Sequence, residues 1–142
     1  MNDTRVIILH KHPVSAKVRI LRLAHGGICG FEALPELASV LDDEVVEKEG
    51  NVISHPAVMA RQAEKELALE EGMLDIINEF KQRVDVPQGV INVYLLGLVG
   101  HDTPDEGLAE QGASLQLITE MRDLPPAEIE LLRRAYVAVM EG

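Results

Sequence analysis

The sequence has 142 residues, 46% of them hydrophobic, so it is long enough to bury a core of its own and is not typical of a disordered chain. Its 24 acidic and 13 basic residues give a formal net charge of −11, which argues against nucleic acid or anionic membranes as general partners. With only two Phe, two Tyr and no Trp, the chain also lacks the aromatic residues on which single-stranded nucleic acid usually stacks.

Cysteine usage and hydropathy set further limits. The single cysteine, Cys29, excludes an internal disulfide and any zinc or iron–sulfur site built from several cysteines. Cys29 lies in a Gly-Gly-Ile-Cys-Gly segment, where a small structural cysteine is the more common interpretation and a nucleophile is the alternative. The N-terminal apolar segment is too short for a signal peptide, and no apolar run is long enough to span a membrane. We therefore expect a soluble, cytoplasmic protein.

The first predicted element is a strand over Thr4–Leu9, which is rich in β-branched residues and is followed by His10-Lys11-His12-Pro13. Pro13 suits the first position of a helix, and the apolar residues after it recur at helical spacing as far as Gly26-Gly27. A strand over residues 17–23 is the alternative, because apolar and basic residues alternate there.

Helical spacing of apolar residues predicts four further helices, over residues 35–48, 57–84, 104–122 and 127–141. Gly72 lies in the middle of the longest of them and costs about 1 kcal/mol relative to Ala, so a kink or break is expected there. Residues 51–54 are a weak strand or a turn. They lead into His55-Pro56.

The longest apolar run, Val90–Val99, predicts a second strand that is buried on both faces, as strands of parallel sheets are. It follows a turn at residues 85–89 and precedes His101-Asp102. We therefore expect an α/β fold for residues 1–142: a single globular domain with a small, mainly parallel sheet of two to four strands, packed by about five helices. The alternative is a helical protein with one hairpin-like pair of strands.

If the two predicted strands are parallel neighbours, their carboxyl ends lie at the same edge, where open α/β sheets bind ligands. The candidate ligand-binding residues at this edge are His10, Lys11, His12, His55, His101 and Asp102. Alternate residues of a strand point the same way, so His10 and His12 share a side and, with His101 and Asp102, form a candidate site for a divalent metal such as zinc. Lys11, Lys17 and Arg61 at helix N-termini predict an anion site instead. Ordinary turn residues are the structural alternative.

The sequence contains no nucleotide-binding glycine loop, no Gly-x-Ser-x-Gly elbow and no His-Glu-x-x-His pair. The main prediction is therefore a non-enzymatic accessory or protein-interaction domain without a cofactor, acting as a homodimer or with a protein partner. The alternative is a small enzyme or ligand-binding domain that uses the His/Asp cluster.

Overall fold

A computed structural model describes residues 4–12, 14, 17–30, 34, 37–40, 56–87, 89–100 and 104–141 of the chain. The predicted helix over residues 35–48 falls mostly outside the described residues, as does the weak strand or turn at 51–54. Within the predicted helix over residues 35–48, Ser39–Val40 form a short strand.

Over the described residues, the architecture is a mixed six-stranded sheet in the order β3-β4-β5-β1-β2-β6. In chain order, β1 to β6 are Thr4–Lys11, Val18–Arg22, Ser39–Val40, Leu74–Val86, Gly89–Leu98 and Ser114–Leu117. Only the central pair, β1 and β5, is parallel in this sheet, and the other neighbours are antiparallel. The predicted parallel neighbours are therefore confirmed, but the expectation of a small, mainly parallel sheet is wrong.

Three helices cover the two faces of this sheet in the described part of the chain: α1 (Pro56–Glu66), α2 (Asp105–Glu110) and α3 (Pro126–Glu141). One face packs against α3 and carries Ile7 and Leu9 of β1. The other face packs against α1 and α2 and carries Val6 and Ile8. This alternation explains why β1 and β5 read as continuous apolar runs, because both faces of the central strands are buried.

The predicted helix after His12 is wrong, and the alternative strand is confirmed as β2. Val18 and Ile20 join the core on the α3 face, while Leu21 joins the core on the α1 face. A strand forms because β2 pairs antiparallel with β1 and β6, and each of its faces finds an apolar layer.

The predicted helix over residues 57–84 is the largest error. Helix α1 ends at Glu66, a turn containing Gly72 at φ +93° follows, and the chain then continues as β4. The predicted helix over residues 104–122 is likewise replaced by α2, β6 and a single 3₁₀ turn at Ile118–Glu120. Only the last predicted helix is confirmed, as α3. The protein is strand-rich, and the expected helix-rich α/β fold is corrected accordingly.

A membrane span is not found among the described helices, since each is too short or too polar to cross a bilayer.

Candidate functional site

The carboxyl ends of β1 and β5 meet at one edge of the sheet, as the sequence predicts for parallel neighbours. Their register places Leu9 beside Gly97, so His10 lies level with the last residues of β5. Gly100, just beyond β5, then comes into contact with the His10 side chain. His101 and Asp102 follow Gly100 in the sequence, but they lie outside the described residues, as does His55.

His10 is the central side chain of this edge. It is only 1% exposed, and its Nε2 lies 2.8 Å from the carbonyl oxygen of Gly100. Since a carbonyl can only accept, Nε2 carries the ring proton, and Nδ1 of the neutral ring has a free lone pair. Nδ1 is buried without a hydrogen-bond partner among the described residues. Leaving a buried acceptor unpaired costs about 1–3 kcal/mol, so this atom is a candidate for contact with a ligand.

His25 shows what a fully satisfied histidine looks like in the same protein. Its Nε2 donates to the carbonyl oxygen of Cys29 at 2.8 Å, and its Nδ1 accepts from the backbone N–H of Gly27 at 3.1 Å. Both ring nitrogens are therefore used to fix the loop after β2. His10 shares the first interaction and lacks the second.

His12, the residue directly after β1, lies beside His10, as the two-residue spacing predicts. The ring centroids are 6.3 Å apart and the rings are nearly perpendicular. His12 Nδ1 accepts from the backbone N–H of Val14 at 3.2 Å, so in this arrangement its proton is on Nε2. The two histidines therefore use different ring nitrogens for these backbone contacts, Nε2 in His10 and Nδ1 in His12.

Lys11 points to the opposite face of the sheet. Its Nζ donates to the carbonyl oxygen of Val139 at 3.2 Å, near the C-terminus of α3, where a positive charge is favourable. On that face Lys11 borders a shallow pocket of about 310 Å³ whose walls include Asp75 and Ile77. The structure thus separates Lys11 from the two histidines with which the sequence grouped it.

Arg61 also has a structural role in place of the predicted contact with an anion. It forms an ion pair with Glu64 on α1, with Nε 2.8 Å from Oε1, and its Nη2 donates to the carbonyl oxygen of Leu74. The predicted anion site of Lys11, Lys17 and Arg61 is therefore not assembled by the described residues.

Arg19 is a basic residue near His10 that is not part of the site predicted from the sequence. It is the direct partner of His10 across the β1–β2 pair and is half-buried. The signal was present in the alternation of residues 17–23, because the strand interpretation places Arg19 and Leu21 on one side and Val18 and Ile20 on the other.

The predicted metal site includes His101 and Asp102, which lie outside the described residues. Among the residues that are described, no group of three or more His, Cys, Asp or Glu side chains is close enough to hold a metal ion. His10 does match one feature of metal-binding histidines, which commonly donate their second ring N–H to a backbone carbonyl.

Cys29 is not placed for nucleophilic chemistry. Its side chain is completely buried in the core on the α3 face. Burial raises the pKa of the Cys29 thiol, the nearby Glu128 carboxylate raises it further, and Arg5 opposes them only in part. Since the thiolate is the reactive form, this cysteine is expected to be inert in the folded protein.

We expect native Cys29 to resist alkylation by iodoacetamide at pH 8 and to react readily once the chain is unfolded in urea. The labelled fraction measured by mass spectrometry checks this, with free glutathione as the reactivity standard. Labelling of the folded protein at the rate of glutathione would contradict the buried position of the thiol.

No family model matches the sequence, and a search of curated proteins also gives no match. Among solved structures, a mutT/nudix family protein from Listeria innocua is similar, with 18% sequence identity over 99% of this chain and 92% of that chain, at a TM-score of 0.47. A likeness at this level establishes neither a shared family nor a shared activity.

Proposed function

We propose that this chain is a small enzyme or ligand-binding domain whose site lies at the carboxyl ends of β1 and β5, on the face covered by α1 and α2. The observation that carries the proposal is His10: a buried ring, held by the Gly100 carbonyl, with an unpaired Nδ1. A carbonyl that fixes the tautomer of a histidine leaves the other nitrogen ready to accept a proton or contact a ligand. This is the arrangement expected of a general base or a binding group.

We further propose that His12, His101 and Asp102 complete the site. His12 is supported by its position beside His10. The support for His101 and Asp102 is their place in the sequence directly after Gly100, whose carbonyl contacts His10. His55 stays a prediction from the sequence, and Lys11 is left out because its ammonium group contacts α3 on the other face.

The non-enzymatic interaction domain that the sequence favoured gains no support from the described residues or from the comparisons, and it is set aside. A homodimer, a protein partner and a cytoplasmic location stay predictions. A divalent ion such as zinc is the alternative occupant of the site, supported by the bond from His10 to a backbone carbonyl.

The proposal predicts that some small molecules or metal ions stabilise the wild-type protein through His10. A ligand at a hundred times its Kd adds about 2.7 kcal/mol to the free energy of unfolding, which corresponds to a rise in melting temperature of roughly 5–10 °C. Thermal unfolding is measured with a panel of carboxylates, phosphate esters, amines, sugars and divalent ions, on protein purified without a tag or chelator.

Two substitutions make this test specific. His10→Gln keeps a nitrogen near the position of Nε2, which can still donate to Gly100, but leaves no atom at the position of Nδ1. His10→Asn does the reverse, because its amide oxygen can take the place of Nδ1. We expect His10→Gln to remain folded with weaker ligand stabilisation than the wild type, and His10→Asn to keep more of that stabilisation than His10→Gln. A panel without any stabilising compound, or equal stabilisation of wild type and His10→Gln, would count against the proposal.

A further inference from the structure

The group opposite His10 indicates what kind of ligand the proposed site would take. Arg19 is paired with His10 across the antiparallel β1–β2 ladder, where opposite Cα atoms lie about 5 Å apart. Both side chains belong to the α1 face: Ile8 precedes His10 on that face of β1, and Leu21 follows Arg19 on that face of β2. The two side chains are therefore neighbours on one face of the sheet, where a single small molecule could contact both.

The side chain of Arg19 has no hydrogen bond or ion pair with any residue in the part of the chain that the structure describes, although Arg19 is half-buried. Other arginines of this acidic protein do find carboxylates: Arg22 pairs with Asp123, and Arg134 pairs with Glu130. A guanidinium that is partly removed from water and lacks a carboxylate partner favours the binding of an anion.

The side chains of Arg19 and His10 have complementary hydrogen-bonding properties. Arg19 can only donate hydrogen bonds, whereas Nδ1 of the neutral His10 ring can only accept one. A plain carboxylate satisfies Arg19 and leaves Nδ1 unpaired. A divalent cation satisfies Nδ1 but meets the repulsion of the positively charged Arg19 side chain on the neighbouring strand.

We propose that the site recognises an anionic group that carries its own hydrogen-bond donor, with Arg19 binding the charge and His10 Nδ1 accepting from the donor. A 2-hydroxycarboxylate and a partly protonated phosphate both have this chemistry. The inference rests on the proposed function and adds to it the class of ligand.

Two pairs of small anions distinguish the effect of the ligand's hydrogen-bond donor on binding from the effect of its negative charge. Lactate and propionate differ in one hydroxyl group, and phosphate and sulfate differ in the proton that phosphate retains near neutral pH. Binding is followed by NMR chemical shifts of the backbone amides of His10, Arg19 and Gly100, at constant pH and ionic strength. For ligands of this size we expect Kd values on the order of 1 mM.

We expect lactate to bind roughly tenfold more tightly than propionate, or phosphate than sulfate, because the weaker member leaves Nδ1 unpaired. The pair that shows the difference identifies whether the donor comes from a hydroxycarboxylate or a phosphate. Equal affinities within both pairs, or no binding of any of the four anions, would overturn the inference.

Variants assign the two roles. Arg19→Gln is expected to weaken all four anions by tenfold or more, whereas His10→Gln is expected to abolish only the preference within a pair. Arg122→Gln is the matched control, since it removes the same charge from an exposed arginine and should leave binding unchanged.

A titration with Zn²⁺ distinguishes failure of this inference from failure of the proposed function. Zinc binding that depends on His10, without anion binding, would overturn the anionic class and leave the ligand site in place. If wild type and His10→Gln respond identically to every anion and to zinc, both proposals fail.

Discussion

Glu64→Ala is expected to lower the free energy of unfolding by about 3–5 kcal/mol, because it removes a buried carboxylate that accepts from two backbone N–H groups and pairs with a partly exposed arginine. Glu64 is only 2% exposed although it lies on α1. Its Oε2 accepts from the backbone N–H groups of Gly72 and Leu74, both at 2.9 Å, and Arg61 binds both of its carboxylate oxygens. One side chain therefore fastens the end of α1 to the beginning of β4.

The position of this network explains the size of the effect. Without Glu64, two buried or half-buried backbone N–H groups lose their acceptor, and Arg61 loses its counter-ion. The chain between α1 and β4 includes Ala68 at φ +56°, a conformation that non-glycine residues rarely adopt and that needs support from its surroundings. Total stabilities of 5–15 kcal/mol are usual, so the loss is a large share of what holds the protein folded.

Urea unfolding of Glu64→Ala, Glu64→Gln and Glu66→Ala measures the effect. Glu66 is exposed on the same helix, so its replacement should change stability by no more than about 0.5 kcal/mol. Glu64→Gln keeps an acceptor oxygen but loses the charge, and it should fall between the two alanine variants. If the two alanine variants were equally stable, Glu64 would not hold the network together.

The sequence predicts the elements whose packing leaves a local pattern. Thr4–Lys11 and Gly89–Leu98 are buried on both faces and read as continuous apolar runs, and α3 keeps a regular helical stripe. The parallel pairing of β1 and β5 follows from their similar apolar character. The sequence leaves the pairing of β2 with β1 open, because residues 14–25, between Pro13 and Gly26-Gly27, fit a helix or a strand equally well.

The candidate site was predictable to a similar extent. The period of two along a strand places His10 and His12 together, and it also places Lys11 on the opposite side, as the contact with Val139 shows. The bond from His10 to Gly100 was not predictable, because it depends on how far β5 extends beyond β1. The position of Arg19 beside His10 was not predictable either, because it depends on the pairing of β2 with β1.

The sequence of strand β4 wrongly predicts a helix because an irregularity interrupts the alternation of its apolar residues. Along β4 the register passes from Ile76 opposite Leu96 to Lys81 opposite Tyr94, so β4 contains an odd number of extra residues. An odd shift exchanges the two faces of a strand. Leu74 consequently packs on the α1 side, whereas Val84 packs on the α3 side. The resulting spacing of apolar residues imitates a helical period.

Phe80 lies at the end of this irregular stretch, and Phe80→Ala is expected to cost about 3–5 kcal/mol of stability. The ring is 1% exposed and belongs to the core on the α3 face, together with Leu95 and Leu131. Its truncation leaves a cavity at the point where β4 exchanges faces. Among the described side chains of residues 77–80, only that of Phe80 is fully buried, so no other side chain there can hold the irregular stretch against the core.

The control is Phe80→Leu, which retains most of the apolar volume and should cost no more than about 1.5 kcal/mol if the core repacks around it. Val90→Ala, at a position 41% exposed on β5, should change stability by about 0.5 kcal/mol or less. Urea unfolding followed by circular dichroism ranks the three variants. A Phe80→Ala protein as stable as Val90→Ala would show that the ring does not anchor β4, and the face exchange would then have to be maintained by the backbone pairing on either side of it.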